Sequence, residues 1–246
     1  MAELLSAARD HLAFPLDYPT LESARRGAEQ VRGEMGVLKV GLELFTAVGP
    51  EAVRLGEALG MAVFLDLKLH DIPATVESAV SSAAGLGVRY LTLHASGGPR
   101  MLEAAQEAAA RAGTGLTLLA VTVLTSLDER DLGAVGVSRA PGAQALALAE
   151  LALSAGIGGL VCSPAELAPL RERHGDAPAL VTPGIRPAGA ERGDQKRVGT
   201  PHEAILAGSS LLVVGRPVRQ APDPRAAAAA LRAEVAEALS AREARS

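Results

Sequence analysis

Short apolar runs recur along the chain at intervals of roughly 20 to 35 residues, and segments rich in alanine, leucine and glutamate separate them. This alternation is typical of repeated strand–helix units in which the strands run parallel. The predicted strands are residues 12–16, 37–40, 62–67, 90–93, 116–123, 159–161, 179–181 and 211–214.

Eight such strands predict an α/β fold, a single-domain (β/α)8 barrel, with a doubly wound open sheet as the alternative. The 246 residues are 48% hydrophobic and contain no Ser/Pro-rich linker, so we expect one domain over 1–246. A C-terminal helix is predicted over about residues 224–246, because Asp223-Pro224 precedes an alanine-rich segment. Since 2% of the residues are aromatic, branched aliphatic side chains are expected to fill the barrel.

Polar side chains stand at the carboxyl ends of nearly all these runs, whereas the strand starts mostly lack such groups. Barrels of this kind build their sites from the loops at the carboxyl ends of the strands, so we expect one shared pocket. The residues are Asp17, Lys39, Asp66 with Lys68, His94 with Ser96, Thr125 with Ser126, Cys162 with Ser163, Thr182 leading to Arg186, and Gly215 with Arg216.

The densest group of charges, Asp66, Lys68 and Asp71, directly follows the apolar run 61–65. Side chains alternate along a strand, so Asp66 and Lys68 are predicted to share one face. Asp71 lies close to Pro73, which prevents the strand from continuing as an interior pairing partner. A turn therefore sets the direction of Asp71, and its geometry stays open.

Three interpretations of this group are possible. The group could be a salt-bridged structural triad, but burying three charges is costly unless they are well paired. A divalent-metal site could be built from Asp66, Asp71 and His70 or His94, although a lysine among the ligands would compete with the metal. A proton-transfer network, in which flanking carboxylates keep Lys68 as an ammonium, is favoured. A Schiff base at Lys68 is disfavoured because it needs a neutral amine.

Each of the last two predicted strands is followed by an arginine, Arg186 in one case and Arg216, after Gly215, in the other. Loops at these positions often bind phosphate in barrels, and an arginine fork matches an oxyanion. We therefore predict a phosphate site; the alternative is that Arg216 pairs with a carboxylate at the rim. The segment 183–199 is rich in glycine, proline and basic residues and predicts a long mobile loop.

Two further strand-end residues are interpreted as supporting groups. His94 is predicted to be a hydrogen-bonded neighbour of the site rather than a catalytic base. Cys162 is predicted to be a small packed residue rather than a nucleophile, because no base for its thiol is identifiable in the sequence.

The net charge of −4 argues against a general role on nucleic-acid polymers or membrane surfaces and favours a small-molecule partner. One cysteine excludes an intramolecular disulfide and fits a reducing compartment. The first residues lack a basic segment followed by a long apolar core, and no stretch reaches the roughly 18 apolar residues of a membrane span. We therefore expect a cytoplasmic protein.

A series of short motifs stands in one collinear order over nearly the whole chain. They are Leu16-Asp17-Tyr18, Leu38-Lys39-Val40-Gly41, Asp66-Leu67-Lys68-Leu69-His70-Asp71-Ile72-Pro73, His94-Ala95-Ser96-Gly97-Gly98, Ala120-Val121-Thr122-Val123-Leu124-Thr125-Ser126, Val181-Thr182-Pro183-Gly184-Ile185-Arg186-Pro187, Gly193-Asp194-Gln195 and Gly215-Arg216-Pro217-Val218. Together they resemble the bacterial form of the orotidine 5′-phosphate decarboxylase family.

The resemblance implies a (β/α)8 barrel that decarboxylates orotidine 5′-phosphate to UMP and CO2, the last step of de novo pyrimidine nucleotide synthesis, without metal or organic cofactor. It implies Lys68 as the proton donor to C6 of the pyrimidine, in a charged array with Lys39, Asp66 and Asp71. It also implies a symmetric homodimer whose active sites are shared across the interface.

The resemblance assigns substrate contacts as well. The implied residues are Asp17 and Lys39 at the ribose, Thr125 and Ser126 at the base, Arg186, Gln195, Gly215 and Arg216 at the phosphate, Asp71, Ile72 and Thr75 reaching the neighbouring subunit's site, and Asp66 and Pro183 completing the pocket. Phe14-Pro15 stands where the family has a smooth apolar strand, so the first strand is expected to be short or bent.

Two other functions stay open. A Mg²⁺-dependent sugar-phosphate decarboxylase or aldolase of the same superfamily would share the Asp-x-Lys-x-x-Asp element, but it presents a carboxylate where this chain has Lys39. A non-catalytic nucleotide-binding barrel would bind UMP without turnover, although the intact charges at Asp66, Lys68 and Asp71 disfavour it.

Overall fold

The computed structural model describes residues 2–186 and 199–244, and its strands form a closed parallel barrel. The strands are β1 Leu12–Pro15, β2 Val37–Gly41, β3 Ala62–Leu69, β4 Tyr90–His94, β5 Thr117–Val121, β6 Gly159–Val161, β7 Ala179–Thr182 and β8 Leu211–Val213. Neighbours in sequence pair in parallel, and β1 pairs with β8 to close the ring. The predicted (β/α)8 barrel is confirmed, and the open sheet is wrong.

Helices connect the strands and surround the barrel. They are α1 Ala2–Asp10, α2 Leu21–Val31, α3 Leu42–Val48, α4 Glu51–Leu59, α5 Pro73–Ala84, α6 Pro99–Ala112, α7 Glu129–Ala134, α8 Pro141–Ser154, α9 Leu167–His174, α10 Pro201–Leu206, α11 Arg216–Arg219 and α12 Pro224–Glu243, with short 3-10 turns at Ala95–Gly97 and Pro164–Glu166. Several begin with a proline in the first turn, where its missing N–H leaves no helical bond unmade.

Alternate residues of each strand serve two hydrophobic layers. Inside the barrel, Phe64 and Tyr90 meet edge to face with ring centroids 6.1 Å apart, among small and branched residues of other strands. Outside it, residues such as Leu38 and Leu65 pack against the helices. Branched aliphatic side chains fill much of this interior, as expected, but two of the few aromatic residues lie there as well.

Two strands differ in length from the prediction by more than one residue. β5 ends at Val121 because the following segment leaves the barrel, where Val123 packs with Leu132 and Ala145 in a separate small cluster. β3 continues to Leu69, beyond the predicted end at residue 67. β1 is four residues long and ends at Pro15, which confirms the expectation of a short first strand.

The last helix, α12, is capped by Asp223, whose carboxylate accepts the N–H of Ala226 at 3.0 Å. It buries one face, including Leu231 and Val235, and packs against α1 and α10. Within residues 2–186 and 199–244, no helix combines the length and the apolar character that crossing a bilayer requires.

Candidate active site

A cavity of about 480 Å³ opens at the carboxyl ends of the strands, a size typical of small-molecule sites. Its charged and polar lining comes from most of the strand ends, as the sequence predicts for this face of a barrel. It is lined by Pro15, Asp17, Lys39, Phe64, Asp66, Lys68, Val121, Val123, Leu124, Thr125, Ser126, Val161, Cys162, Pro183, Gly184, Arg186, Val213, Gly215, Arg216 and Arg219.

Four charged residues of alternating sign form a row along one wall of this cavity. Lys39 Nζ lies 3.7 Å from Asp17 Oδ1 and 3.3 Å from Asp66 Oδ2. The other oxygen of Asp66, Oδ1, accepts a hydrogen bond from Lys68 Nζ at 2.8 Å. The row Asp17, Lys39, Asp66 and Lys68 therefore joins the ends of β1, β2 and β3.

Strand alternation explains why these side chains meet. Val37 and Phe64 point into the barrel, so Lys39 and Asp66, two residues further on, point into its upper end. Gly41 follows on β2, and a Cβ atom there would lie 3.1 Å from Lys39 Nζ. The glycine leaves room for the lysine to reach both carboxylates.

Asp66 is buried and remains an anion. Burial alone would raise the pKa of its carboxyl, but the positive charges of Lys39 and Lys68 and the hydrogen bonds from Lys68 and Thr92 outweigh burial and lower it. The carboxylate is therefore available as a fixed negative charge between two ammonium groups.

Lys68 has an unusual backbone conformation. Its φ is 51°, the only positive φ of a non-glycine residue in the part of the chain that the structure describes. Such a conformation is disfavoured by about 1–2 kcal/mol for an L-residue. The pairing of β3 with β4 is also irregular between Leu65 and Leu69. Asp66 and Lys68 do meet, but regular alternation along β3 is not what directs the lysine.

Asp71, Ile72 and Thr75 lie outside the cavity. The three residues are exposed, and Ile72 has an exposed fraction of 66%. The carboxylate of Asp71 accepts the N–H of Ile72 at 2.6 Å, where the chain turns before α5. Within one subunit the structure does not bring Asp71 to the row of charges.

The part of the cavity wall that follows β7 and β8 carries the arginines. Arg186 and Arg216 both line the cavity, and the pKa of Arg186 is lowered by burial and by the positive charge of Arg216. Gly215 lies against β1, where a Cβ atom would be 2.7 Å from Pro15 Cγ. Pro183 and Gly184 complete this wall. The predicted residue Gln195 lies outside the described residues.

Comparison with known proteins agrees with this architecture. Residues 10–231 match the model of the orotidine 5′-phosphate decarboxylase / HUMPS family. The chain belongs to this family.

Relatives cover almost the whole chain. A protein of Anaeromyxobacter sp. (strain K) named orotidine 5′-phosphate decarboxylase is 55% identical over 224 residues, which are 91% of this chain and 97% of the relative. One of the same name from Thermobifida fusca (strain YX) is 54% identical over 228 residues, 91% of this chain and 95% of the relative. The crystal structure of orotidine 5′-phosphate decarboxylase from Lactobacillus acidophilus superposes with a TM-score of 0.80 at 36% identity, covering 92% of this chain and 99% of that one.

In this member of the orotidine 5′-phosphate decarboxylase family, the two strand-end residues His94 and Cys162 differ in their relation to the cavity. His94 is half-buried beside His70, with ring centroids 5.4 Å apart, and is absent from the cavity lining. Its pKa is lowered by burial and by the charges of His70 and Lys68. Cys162 is buried and forms part of the cavity wall.

The sequence reasoning missed Arg219 and most of the apolar lining. Arg219 donates a hydrogen bond to the backbone carbonyl of Asp17, and its guanidinium lies 5.6 Å from the ring centroid of Tyr18. It follows Arg216 by three positions on α11, a spacing that places two side chains on one helix face. That spacing was a usable signal. Val161 and Val213 are interior residues of β6 and β8, which alternation alone could have assigned.

Proposed function

We propose that this protein decarboxylates orotidine 5′-phosphate to UMP and CO2. Family membership supports the activity, as does the name that relatives at 54–55% identity carry. The observation that carries the proposal is the position of Lys68, an ammonium 2.8 Å from the buried carboxylate of Asp66 in a cavity of nucleotide size. The arginines that line the cavity after β7 and β8 support a substrate with a second, anionic end.

The charged row suits this reaction chemically. The bond between C6 and the carboxylate carbon breaks, CO2 leaves, and the electron pair stays on C6. Lys68 stabilises the developing carbanion electrostatically and then donates its proton to C6. Asp66 holds the ammonium in place and repels the substrate carboxylate, a repulsion that disappears as CO2 departs.

The second positive charge of the row has a different role in the proposal. Lys39 lies between Asp17 and Asp66, where it can hold the ribose hydroxyls together with Asp17 and offset the charge of Asp66. Thr125 and Ser126 line the cavity after β5 and are assigned to the base. Arg186, Arg216 and Gly215 are assigned to the phosphate, with Gln195 as a further proposed contact.

Binding energy from the phosphate is expected to lower the barrier at the distant pyrimidine. Interactions with a non-reacting group can offset the desolvation and ordering of the reacting one. A substrate without its phosphate should therefore lose kcat as well as affinity.

The proposal includes a homodimer with shared sites. Asp71, Ile72 and Thr75 are exposed and do not line the cavity of their own subunit, and Ile72 is one of the most exposed large apolar side chains among the described residues. In a symmetric dimer the same segment of each subunit can complete the site of the other. This placement would bring Asp71 into the charged row of the partner.

The reaction is proposed to proceed without metal or organic cofactor. Both oxygens of Asp66 face ammonium groups, so a divalent ion would have to displace Lys39 or Lys68. In the described part of the chain, no group of three or more His, Cys, Asp and Glu side chains is placed to hold a metal. The Mg²⁺-dependent alternative predicts loss of turnover in EDTA, whereas we expect none.

An absorbance assay of orotidine 5′-phosphate loss by the purified protein tests the function. We expect turnover that Lys68→Ala reduces by several orders of magnitude, because the variant lacks the proton donor. Arg54→Ala, an exposed change on α4, is the control and should retain full activity. Binding of UMP without any turnover by the wild type would instead support a nucleotide-binding barrel and contradict the proposal.

A further inference from the structure

Thr92 is a fully buried polar residue on β4 that the proposed chemistry does not use. Its hydroxyl accepts a hydrogen bond from the backbone N–H of Lys68 at 2.9 Å and donates one to Asp66 Oδ1, also at 2.9 Å. The N–H can only donate and an ionised carboxylate can only accept, so the direction of both bonds is fixed.

Thr92 lies opposite the irregular part of β3. Leu65 is paired with Leu91 and Leu69 with Leu93, so four steps along β3 correspond to two steps along β4. Extra residues of this kind leave backbone groups without their regular hydrogen-bond partners on the neighbouring strand. The side chain of Thr92 supplies the acceptor for Lys68 N–H at this point, where Lys68 has its positive φ.

The two bonds complete a closed ring around the reacting group. Asp66 Oδ1 accepts from both Thr92 and Lys68 Nζ, while Thr92 accepts from the backbone of Lys68. Both ends of the lysine are therefore connected to the same hydroxyl, one directly and one through the carboxylate. A change at Thr92 affects the ammonium and its counter-ion together.

We propose that Thr92 is a positioning residue for decarboxylation, whose single hydroxyl fixes the backbone of Lys68 and the carboxylate of Asp66 relative to each other. The chemical consequence rests on the proposed function, whereas the geometric part does not. Without the hydroxyl, Lys68 N–H loses its partner, the strained backbone can relax, and the ammonium leaves the position from which it donates a proton.

Steady-state kinetics of three variants test the role. Thr92→Val keeps the approximate shape but removes both bonds, and we expect kcat to fall about tenfold or more while KM changes less than about twofold. Thr92→Ser keeps the hydroxyl and should stay within about threefold of the wild type. Thr122→Val is the matched control, since Thr122 is a buried threonine after β5 whose hydroxyl bonds the Val161 carbonyl at 3.1 Å. The control should retain kcat.

A second measurement does not depend on turnover. The pKa of the Asp66 carboxyl, followed by 13C NMR titration without substrate, should rise in Thr92→Val, which removes the Thr92 hydrogen bond and releases Lys68, and should stay unchanged in Thr92→Ser. If Thr92→Val does not fold, Thr92→Ala carries the same expectations.

The outcomes separate the two proposals. Wild-type kcat and an unchanged Asp66 pKa in Thr92→Val overturn the role of Thr92, and so does an equal loss of kcat in the Thr122→Val control. If the wild type does not turn over orotidine 5′-phosphate, the proposed function fails, and the titration alone then decides whether Thr92 holds Asp66.

Discussion

Arg186 and Arg216 face the same cavity, and Arg216 adds to the effect of burial in lowering the pKa of Arg186. Two guanidinium groups that disfavour each other's charge are stabilised by an anion that both can contact. Arg186 follows β7, which lies across the closed eight-stranded ring from β3 with Asp66 and Lys68, so a positive group stands on the far side of the cavity from this pair. A substrate with two anionic groups fits this separation.

Removal of one arginine should weaken substrate binding. We expect Arg216→Ala to raise KM for orotidine 5′-phosphate about tenfold or more, because a hydrogen bond to a charged group contributes about 1.5–3 kcal/mol. Arg173→Ala, an exposed change on α9, serves as the control. An unchanged KM in initial-rate measurements on Arg216→Ala would show that the phosphate lies elsewhere.

The lowered pKa of Asp66 predicts how stability depends on pH. The native pKa lies below the unfolded one, so the ionised carboxylate stabilises the fold above about pH 4, and this contribution is lost as the pH falls through the native pKa. Urea unfolding from pH 7 to pH 3 should give Asp66→Asn a lower free energy of unfolding than the wild type, and this difference should shrink below about pH 4.

The control is Glu22→Gln, which alters an exposed ion pair on α2 and should have nearly the same free energy of unfolding as the wild type. A difference of constant size for Asp66→Asn down to pH 3 would contradict the prediction.

Gly41 permits a steric test of Lys39. Its φ of −93° suits any residue, but a Cβ atom would come within 3.1 Å of Lys39 Nζ. The lysine end is flexible, so Gly41→Ala should change stability by less than about 1 kcal/mol. Because the ammonium of Lys39 must shift by a few tenths of an ångström from its place between Asp17 and Asp66, kcat/KM should fall severalfold, which initial rates and thermal unfolding can establish together. Gly142→Ala on α8 is the control, because a Cβ atom there has open space around it. Gly49 is unsuitable because its φ is positive.

Shared active sites predict complementation between defective subunits. Asp71→Ala and Lys68→Ala homodimers should each be nearly inactive, but their mixture should form heterodimers with one intact site. After subunit exchange at equal concentrations, activity should approach about a quarter of the wild-type value, because half of the dimers carry one working site of two. Refolding the mixture and measuring turnover checks this. No gain over the separate variants would count against shared sites.

The apolar runs were enough to place all eight strands because barrel strands are short, buried and regularly spaced. The ends of β3 and β5 were harder to predict from the sequence. At β3 the chain inserts extra residues opposite Thr92, and no periodic pattern in Leu67-Lys68-Leu69 reveals this. After β5, Val123 continues the apolar run in the sequence but packs with Leu132 in a separate cluster.

The charged residues of the site were recognisable because Asp66 and Lys39 stand at strand ends where the fold gathers side chains. Arg219 was missed because its role depends on a four-residue helix that brings it to the backbone of Asp17. Asp71 is exposed in this chain, and its proposed place in a partner's site is a relation that periodicity within one chain does not describe. The contribution of Thr92 arises from a bulge and could be recognised only with the pairing of β3 and β4 known.

With Lys68 as the proposed proton donor, its left-handed backbone makes the demands of stability and of turnover differ at one residue. Glycine adopts this conformation without steric penalty, so the backbone at this position favours a residue that carries no amine. Selection for thermal stability alone has a physical reason to replace the lysine, whereas selection for the proposed decarboxylation would retain it. Directed evolution of this enzyme for heat resistance therefore needs an activity screen in every round.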